Sequence, residues 1–182
     1  MAKRVKFDRE KFKRLVHYVI WRAGDRDGFG ATKLNKVLWF AEARLFVLRG
    51  RPIAGAKYIR EKYGPVPQAF VPIRDELAQE GAIRVWKDSY HNRTITRMKA
   101  LTRPDVAIFD REELKVVDFW ISHIDKDHTA SSVSEQTHDY AWEIAKMGEE
   151  LPLYAPLVSR IRDLEGDEKD RARKRAKELR LL

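Results

Sequence analysis

The chain has 182 residues, 43% of them hydrophobic and 36% charged, and a formal net charge of +9. This composition excludes an intrinsically disordered chain, and the lack of any apolar run near the roughly 20 residues that cross a bilayer predicts no membrane partner and no secretory signal. There is no cysteine, which excludes disulfides and thiolate metal sites and indicates a cytoplasmic protein.

The first 50 residues predict two helices. Asp8 is a good N-cap for the first, and Phe7 is placed to pack against Phe12 as a hydrophobic staple. Thr32 is predicted to cap the second helix and Gly50 to end it. The second helix is apolar on most of its faces, a pattern typical of the central helix of a core.

The segment REKYGPVPQAF, residues 60–70, follows a stretch that predicts one or two short extended segments. Pro65 and Pro67 disfavour helix at the residues before them, and Pro67 is predicted to begin a third helix. Pro72 is expected to kink or restart that helix.

Residues 82–101 alternate apolar and polar side chains and predict a β-hairpin with turn residues at its centre. Its cations are interleaved with aromatic residues, a pattern that favours contact with a nucleic-acid backbone. The cations that would make this contact are Arg84, Lys87, Arg93, Arg97 and Lys99. The alternative is the solvated face of a half-buried hairpin.

The second half of the chain returns to helix. Asp110 with Glu113 predicts one capping box, and Ser132 with Glu135 predicts another. The tail carries acid-to-base pairs four residues apart, typical of a solvated helix.

Together these elements predict a mainly α fold with a small β-hairpin, of the α+β class, in which a helical domain carries a winged-helix-like element. The domain is expected to span residues 1–165 and the charged tail residues 166–182.

Two histidine-containing segments are candidates for a functional site. The sequence HIDKDH, residues 123–128, holds imidazole and carboxylate groups that bind metals. Its two histidines are five residues apart rather than the three or four of a helical ligand pair, which favours a polar turn between helices. His138 and Trp142 share a helix face, which fits either a partner groove or a partly buried histidine. The chain shows no pattern of nucleophile and base and no phosphate-binding glycine loop, so we expect no enzymatic activity, cofactor or metal.

Three segments in order resemble the Panacea domain family of SocA-like antitoxins: TKLNKVLWFAEARLFVLRGRPI, YIREKYGPVPQAF and SSVSEQTHDYAWEIA. The motif positions are Lys33, Leu34, Lys36, Trp39 and Phe40, then Lys62, Tyr63, Gly64, Pro65 and Val66, then His138 and Trp142. The resemblance covers residues 10–155 and excludes the basic hairpin and the tail.

The resemblance implies an antitoxin that neutralises a co-encoded protein toxin by direct contact and has no enzymatic activity. Some relatives resemble adaptors that deliver the toxin to a bacterial AAA+ protease. The expected partner-binding residues are Lys33, Lys36, Trp39, Lys62, Tyr63, Gly64, Pro65, Phe70, His138 and Trp142. A DNA-binding regulator of its own operon is the alternative, and self-association stays open.

The proline-rich turn has a clear use in this reading. Pro65 and Pro67 fix the backbone, so little conformational entropy is left to lose on binding. Tyr63 and Phe70 are then either aromatic anchors for a partner or rings that seal the core.

Overall fold

The computed structural model describes residues 6–127, 137–138 and 140–155, together with Ser132 and Ser134. The predicted capping box that needs Glu135, and the tail 166–182, lie outside these residues. The helices are α1 Arg9–Ala23, α2 Ala31–Arg49, α3 Phe70–Gln79, α4 Arg111–Asp127 and α5 Tyr140–Ile144. The strands are β1 Tyr58–Glu61, β2 Gly64–Pro67, β3 Ile83–Tyr90, β4 Arg93–Ala100 and β5 Glu150–Leu151.

The start of α1 confirms the sequence prediction. The Asp8 carboxylate accepts a hydrogen bond from the backbone N–H of Lys11 at 2.9 Å. The rings of Phe7 and Phe12 meet edge to face with centroids 5.9 Å apart, which is the predicted staple.

The predicted cap of α2 is wrong, while its predicted end is confirmed. The helix begins at Ala31 after an extended Gly30, so Thr32 lies inside the first turn. Gly50 ends the helix in the left-handed conformation, at φ 70°, and its N–H donates to the carbonyl of Phe46.

The predictions for Pro67 and Pro72 are corrected. Pro67 is the last residue of β2, where it lies opposite Tyr58, and α3 begins only at Phe70. Pro72 is the third residue of α3, within the first turn, whose N–H groups have no partner inside the helix. It therefore fits without kinking the helix.

Two antiparallel sheets accompany the helices. The hairpin of β3 and β4 confirms the prediction, and its turn residues His91 and Asn92 both have positive φ, at 47° and 60°. The other sheet has the order β2-β1-β5, with Tyr58 opposite both Pro67 and Leu151. The mixed α+β class is confirmed, whereas a winged-helix-like arrangement is not.

Helix α2 lies at the centre of the core, as its all-round apolar pattern predicted. Trp39 is buried against Tyr58, with ring centroids 5.0 Å apart, and Phe40 stacks on Trp120 of α4 at 4.5 Å. Reciprocal bonds between Asp110 and Glu113, at 2.8 and 3.0 Å, confirm the capping box of α4. Within the described part of the chain, none of the helices is long and apolar enough to span a bilayer.

Candidate partner-binding site

The turn between β1 and β2 projects two side chains into solvent. Residues 62–63 connect the strands, and the ring of Tyr63 is 58% exposed with the Lys62 ammonium 5.4 Å from its centroid. Gly64 follows at φ 96°, a conformation that favours glycine. A Cβ at Gly64 would also collide with Nζ of Lys36 and Oγ1 of Thr137, so glycine is required twice over.

Lys36 supports this turn from within the protein. Its side chain leaves the N-terminal half of α2, is 1% exposed, and donates from Nζ to the carbonyl of Pro65 at 3.4 Å. Burial lowers the pKa of this lysine to about 7. The lysine thus reaches the backbone of the β1–β2 unit at a high cost in desolvation.

The segment around α5 holds the other side of the unit. Trp142 donates from Nε1 to the carbonyl of Glu61 at 3.1 Å, and the guanidinium of Arg60 lies 4.2 Å from its ring centroid. The half-buried His138 ring stacks on Trp142 with centroids 3.6 Å apart and planes at 9°. The prediction that these two residues share a helix face is wrong, because His138 lies two residues before α5 begins. Their rings are nevertheless in contact, beside β1.

A half-open cavity of about 290 Å³ lies between the start of α2 and the β1–β2 turn. We call it the Lys36 cavity. Its polar lining comes from Thr32, Asn35, Lys36, Glu61, Lys62 and Tyr63, and Ala31 and Val66 add apolar surface. The cavity therefore joins the buried lysine to the exposed tip of the turn.

Six of the ten predicted partner-binding residues are buried, namely Lys36, Gly64 and Pro65 in and below the turn, and Lys33, Trp39 and Phe70. Trp39 and Phe70 are 1% and 2% exposed and belong to the core, and Lys33 is buried beside Asp125. Their side chains support the site rather than contact a partner. Of the two aromatic residues that flank the turn, Tyr63 is exposed and Phe70 seals the core.

Glu42, which holds the loop that precedes β1, was not predicted from the sequence. Its fully buried carboxylate accepts backbone N–H groups of Ala54, Gly55 and Ala56 at 3.1 to 3.4 Å. Burial raises the pKa of this carboxyl to about 7. A glutamate in the otherwise apolar run of residues 37–43 was the signal that could have revealed it. Asn35, Arg60 and Thr137 were missed as well.

The cations of the hairpin divide into two groups. Arg97 lies 3.3 Å from Asp88 and donates to the carbonyl of Arg26 at 3.2 Å, and Lys99 lies 3.1 Å from Asp25. Arg97 is largely covered, with its side chain 13% exposed, whereas Lys99 forms a surface ion pair. The other three cations, Arg84, Lys87 and Arg93, are exposed, and Lys87 also donates to the hydroxyl of Thr96.

The segment HIDKDH is helical as far as the structure describes it. Helix α4 continues through Asp127, which corrects the alternative of a polar turn, and His128 lies outside the described residues. The His123 ring stacks on Phe119 with centroids 5.7 Å apart. Among the described residues, no three His, Asp or Glu side chains are grouped so that they could hold a metal ion.

Comparison with known proteins adds the identity of the domain. The family model of the SocA-like antitoxins, Panacea domain, matches residues 34–143. No curated protein and no solved structure matches the chain. The matched span begins in α2, contains the whole β1–β2 unit and ends one residue beyond Trp142. It includes most of the residues that line the Lys36 cavity, while Ala31 and Thr32 precede it. The chain belongs to the SocA-like antitoxin family and carries its Panacea domain.

Proposed function

We propose that this protein is an antitoxin that neutralises a co-encoded protein toxin by binding it directly. The observation that carries the proposal is the family match over residues 34–143, which falls on the assembled β1–β2 turn and the groups that support it. The toxin-binding surface in this proposal is the tip of that turn, Lys62 and Tyr63, together with the Lys36 cavity.

The geometry of the turn supports this role. Pro65 and Pro67 lie in β2, paired with β1, and Trp142 and Lys36 hold the unit by bonds to backbone carbonyls. A turn fixed in this way loses little conformational entropy when a partner docks. Tyr63 is exposed above this rigid base, and tyrosine is among the residues that most often dominate binding energy at interfaces.

The proposal extends to the fate and place of the complex. We place neutralisation in the cytoplasm, where bound toxin would be accessible to a bacterial AAA+ protease. Delivery to such a protease requires a second surface, separate from the one that holds the toxin. Comparing toxin levels in cells with and without the protease tests this extension independently of binding.

Co-expression with the product of each neighbouring reading frame tests the central proposal. We expect the wild-type protein to restore growth against one of them and to co-purify with it. Tyr63→Ala is expected to weaken this complex about 30-fold, the effect of losing an interface anchor worth about 2 kcal/mol. Tyr154→Ala is the matched control, because Tyr154 is 52% exposed and lies outside the family match.

Two results would contradict the proposal. One is failure of the wild-type protein to rescue growth against any neighbouring gene product. The other is rescue by Tyr63→Ala as efficient as rescue by Tyr154→Ala, with equal affinities in the purified complexes.

A further inference from the structure

The ammonium of Lys36 is poorly satisfied where it lies. A lysine has three N–H donors, yet among the described residues its one hydrogen bond is the 3.4 Å contact with Pro65. Burial is the sole cause of its lowered pKa, so no described carboxylate offsets the loss of solvent. Buried charges are normally paired, because an unpaired charge in a low-dielectric interior is costly.

A second unsatisfied group lines the same cavity. Asn35 is 7% exposed, and its Oδ1 has no hydrogen-bond partner within the described part of the chain. Lys36 therefore offers unused donors, and Asn35 offers an unused acceptor, in one half-open space. A ligand that satisfied both would present an anionic acceptor and an N–H donor a few ångströms apart.

The rim of the cavity defines the charge of that ligand further. Lys62 lies at the mouth with the exposed ring of Tyr63, and Thr32 adds a hydroxyl from the first turn of α2. Glu61 also lines the cavity and would repel an anion, but Lys36 and Lys62 together outweigh its single charge. The volume of about 290 Å³ suits one amino-acid side chain or chain end rather than a large ligand.

We propose that the Lys36 cavity binds a carboxylate carried by a peptide, with Lys36 and Lys62 on the carboxylate and Oδ1 of Asn35 accepting the adjoining backbone N–H. Such a carboxylate is either an aspartate or glutamate side chain or the C-terminus of a chain. The identification of the toxin as the protein that carries this carboxylate rests on the proposed function. The existence of the site does not depend on it.

The proposal can be tested through the protonation of Lys36. A bound carboxylate favours the charged lysine, so it raises the pKa of Lys36 above its free value of about 7. Binding must then take up a proton at alkaline pH. Affinity falls as pH rises from 7 to 9, by up to about tenfold per unit, until the pKa of the complex is reached. A neutral ligand shows no such fall.

Small probes test the site on the intact protein. N-acetylalanine presents a C-terminal carboxylate with its own N–H, and N-acetylglutamate α-amide presents a side-chain carboxylate. N-acetylalaninamide is the neutral control. NMR of protein labelled with ¹³C at lysine Cε follows the protonation of Lys36 as each probe is added, and the missing signal in Lys36→Met assigns the resonance.

We expect at least one carboxylate probe to raise the pKa of Lys36 by about one unit or more, and the tighter of the two identifies the source of the carboxylate. Neither should do so in Thr32→Trp, where an indole at this half-buried position on the first turn of α2 fills the cavity. Lys115→Met, at an exposed position of α4, should bind as the wild type does.

Other titratable groups lie around the cavity, namely Glu61, Lys62 and Tyr63, with His138 next to Thr137 beyond Gly64. The pH dependence is therefore read as the difference between the wild type and Lys36→Met. Binding of the neutral amide as strong as that of the acids, no response to either acid, or equal pH profiles in wild type and Lys36→Met would overturn the inference. If an acid binds but no neighbouring toxin is neutralised, the proposed function fails while the site stands.

Discussion

At the scale of single residues, Glu42 shows how a charged group can be used to shape a loop. Its carboxylate lies wholly inside the protein and collects the N–H groups of residues 54–56, which connect α2 to β1. These bonds favour the charged form, but burial outweighs them and raises the pKa to about 7. The backbone groups of a buried loop are thereby satisfied without a strand partner.

Glu42 predicts a specific pH dependence of stability. Its folded pKa of about 7 exceeds the ordinary value of 4.5, so between these values the folded state holds a proton that the unfolded state has lost. Stability therefore falls as pH rises through this window, by about 3 kcal/mol in all. Glu42→Gln cannot titrate, and urea unfolding from pH 4.5 to 7.5 should show a flatter curve for it than for the wild type.

The quantity to compare is the difference in unfolding free energy between the wild type and Glu42→Gln at each pH. His17 changes the stability of both proteins with pH, in the opposite direction to Glu42. Burial lowers the pKa of His17, which makes stability rise as pH rises through its titration. Glu150→Gln, at an exposed position, should follow the wild-type curve. Parallel curves for the wild type and Glu42→Gln would show that the Glu42 carboxyl titrates in its ordinary range.

At the scale of elements, what the sequence predicted well is what depends on neighbours in the chain. The cap at Asp8, the capping box at Asp110 and the β3–β4 hairpin each join residues that lie within about one element of one another. The β2-β1-β5 sheet, which carries the site, was not predicted from the sequence. In this sheet β1 pairs with β5 across some ninety residues, with Tyr58 opposite Leu151. A two-residue strand such as β5 has no period of its own to detect.

The same reasoning separates the predicted site residues. The motif indicated Lys36, Gly64, His138 and Trp142 together, and the fold brings them to one side of β1. Burial could not be read from the motif, so Phe70 looked as accessible as Tyr63. Which aromatic ring faces solvent depends on where α3 begins. Pro67 was predicted to be its first residue, whereas the helix begins at Phe70.

The β3–β4 hairpin carries a prediction that separates two roles. Arg93 is exposed next to the hairpin turn and lies outside the Lys36 cavity, so Arg93→Glu should leave toxin neutralisation unchanged. Any binding to duplex DNA should weaken and lose about one unit of salt slope. Growth rescue and a filter-binding assay at several salt concentrations measure the two effects, with Arg111→Glu on α4 as control.

Loss of rescue in Arg93→Glu, with rescue intact in Arg111→Glu, would instead make the hairpin part of the toxin interface. Arg97→Glu is a poor substitute for this test. Its guanidinium is engaged with Asp88 and the carbonyl of Arg26, so the change would disturb the packing of the hairpin.

At the scale of the whole molecule, ion pairs join α1 to the elements around it. Arg9 and Lys13 pair with Glu76 of α3, and Arg22 pairs with Asp118 of α4. Arg26, in the loop after α1, pairs with Asp125 of α4. Most of these are partly exposed and contribute little individually. Much of the chain's large charge content is thus paired within the fold, which weakens the argument from net charge to nucleic acid.

Glu113 is the exception, because it is buried and joins three helices. Its Oε1 lies 2.8 Å from Lys11 of α1 and 2.6 Å from Arg49 of α2, and its side chain is 4% exposed. Glu113→Gln leaves Lys11 without a counter-charge and leaves Arg49 only the more exposed carboxylates of Asp110 and Glu112. The substitution should lower the free energy of unfolding by about 3 kcal/mol. Urea unfolding at pH 7 measures this loss.

The neighbouring glutamate provides the control. Glu112 is 60% exposed and lies 3.5 Å from Arg49, so Glu112→Gln should change the free energy of unfolding by less than about 0.5 kcal/mol. Equal effects of the two substitutions would show that Glu113 behaves as a surface charge.

The order in which the chain builds the β2-β1-β5 sheet has a consequence during synthesis. Strands β1 and β2 leave the ribosome early, but Arg60 bonds to the backbone of residues 148–149, and Trp142 bonds to Glu61. A nascent chain arrested before these residues emerge has an open strand edge on β1, and its β1–β2 turn lacks the bonds from Trp142 and residues 148–149. The turn proposed to bind the toxin is therefore fully supported only when translation of the domain is almost finished.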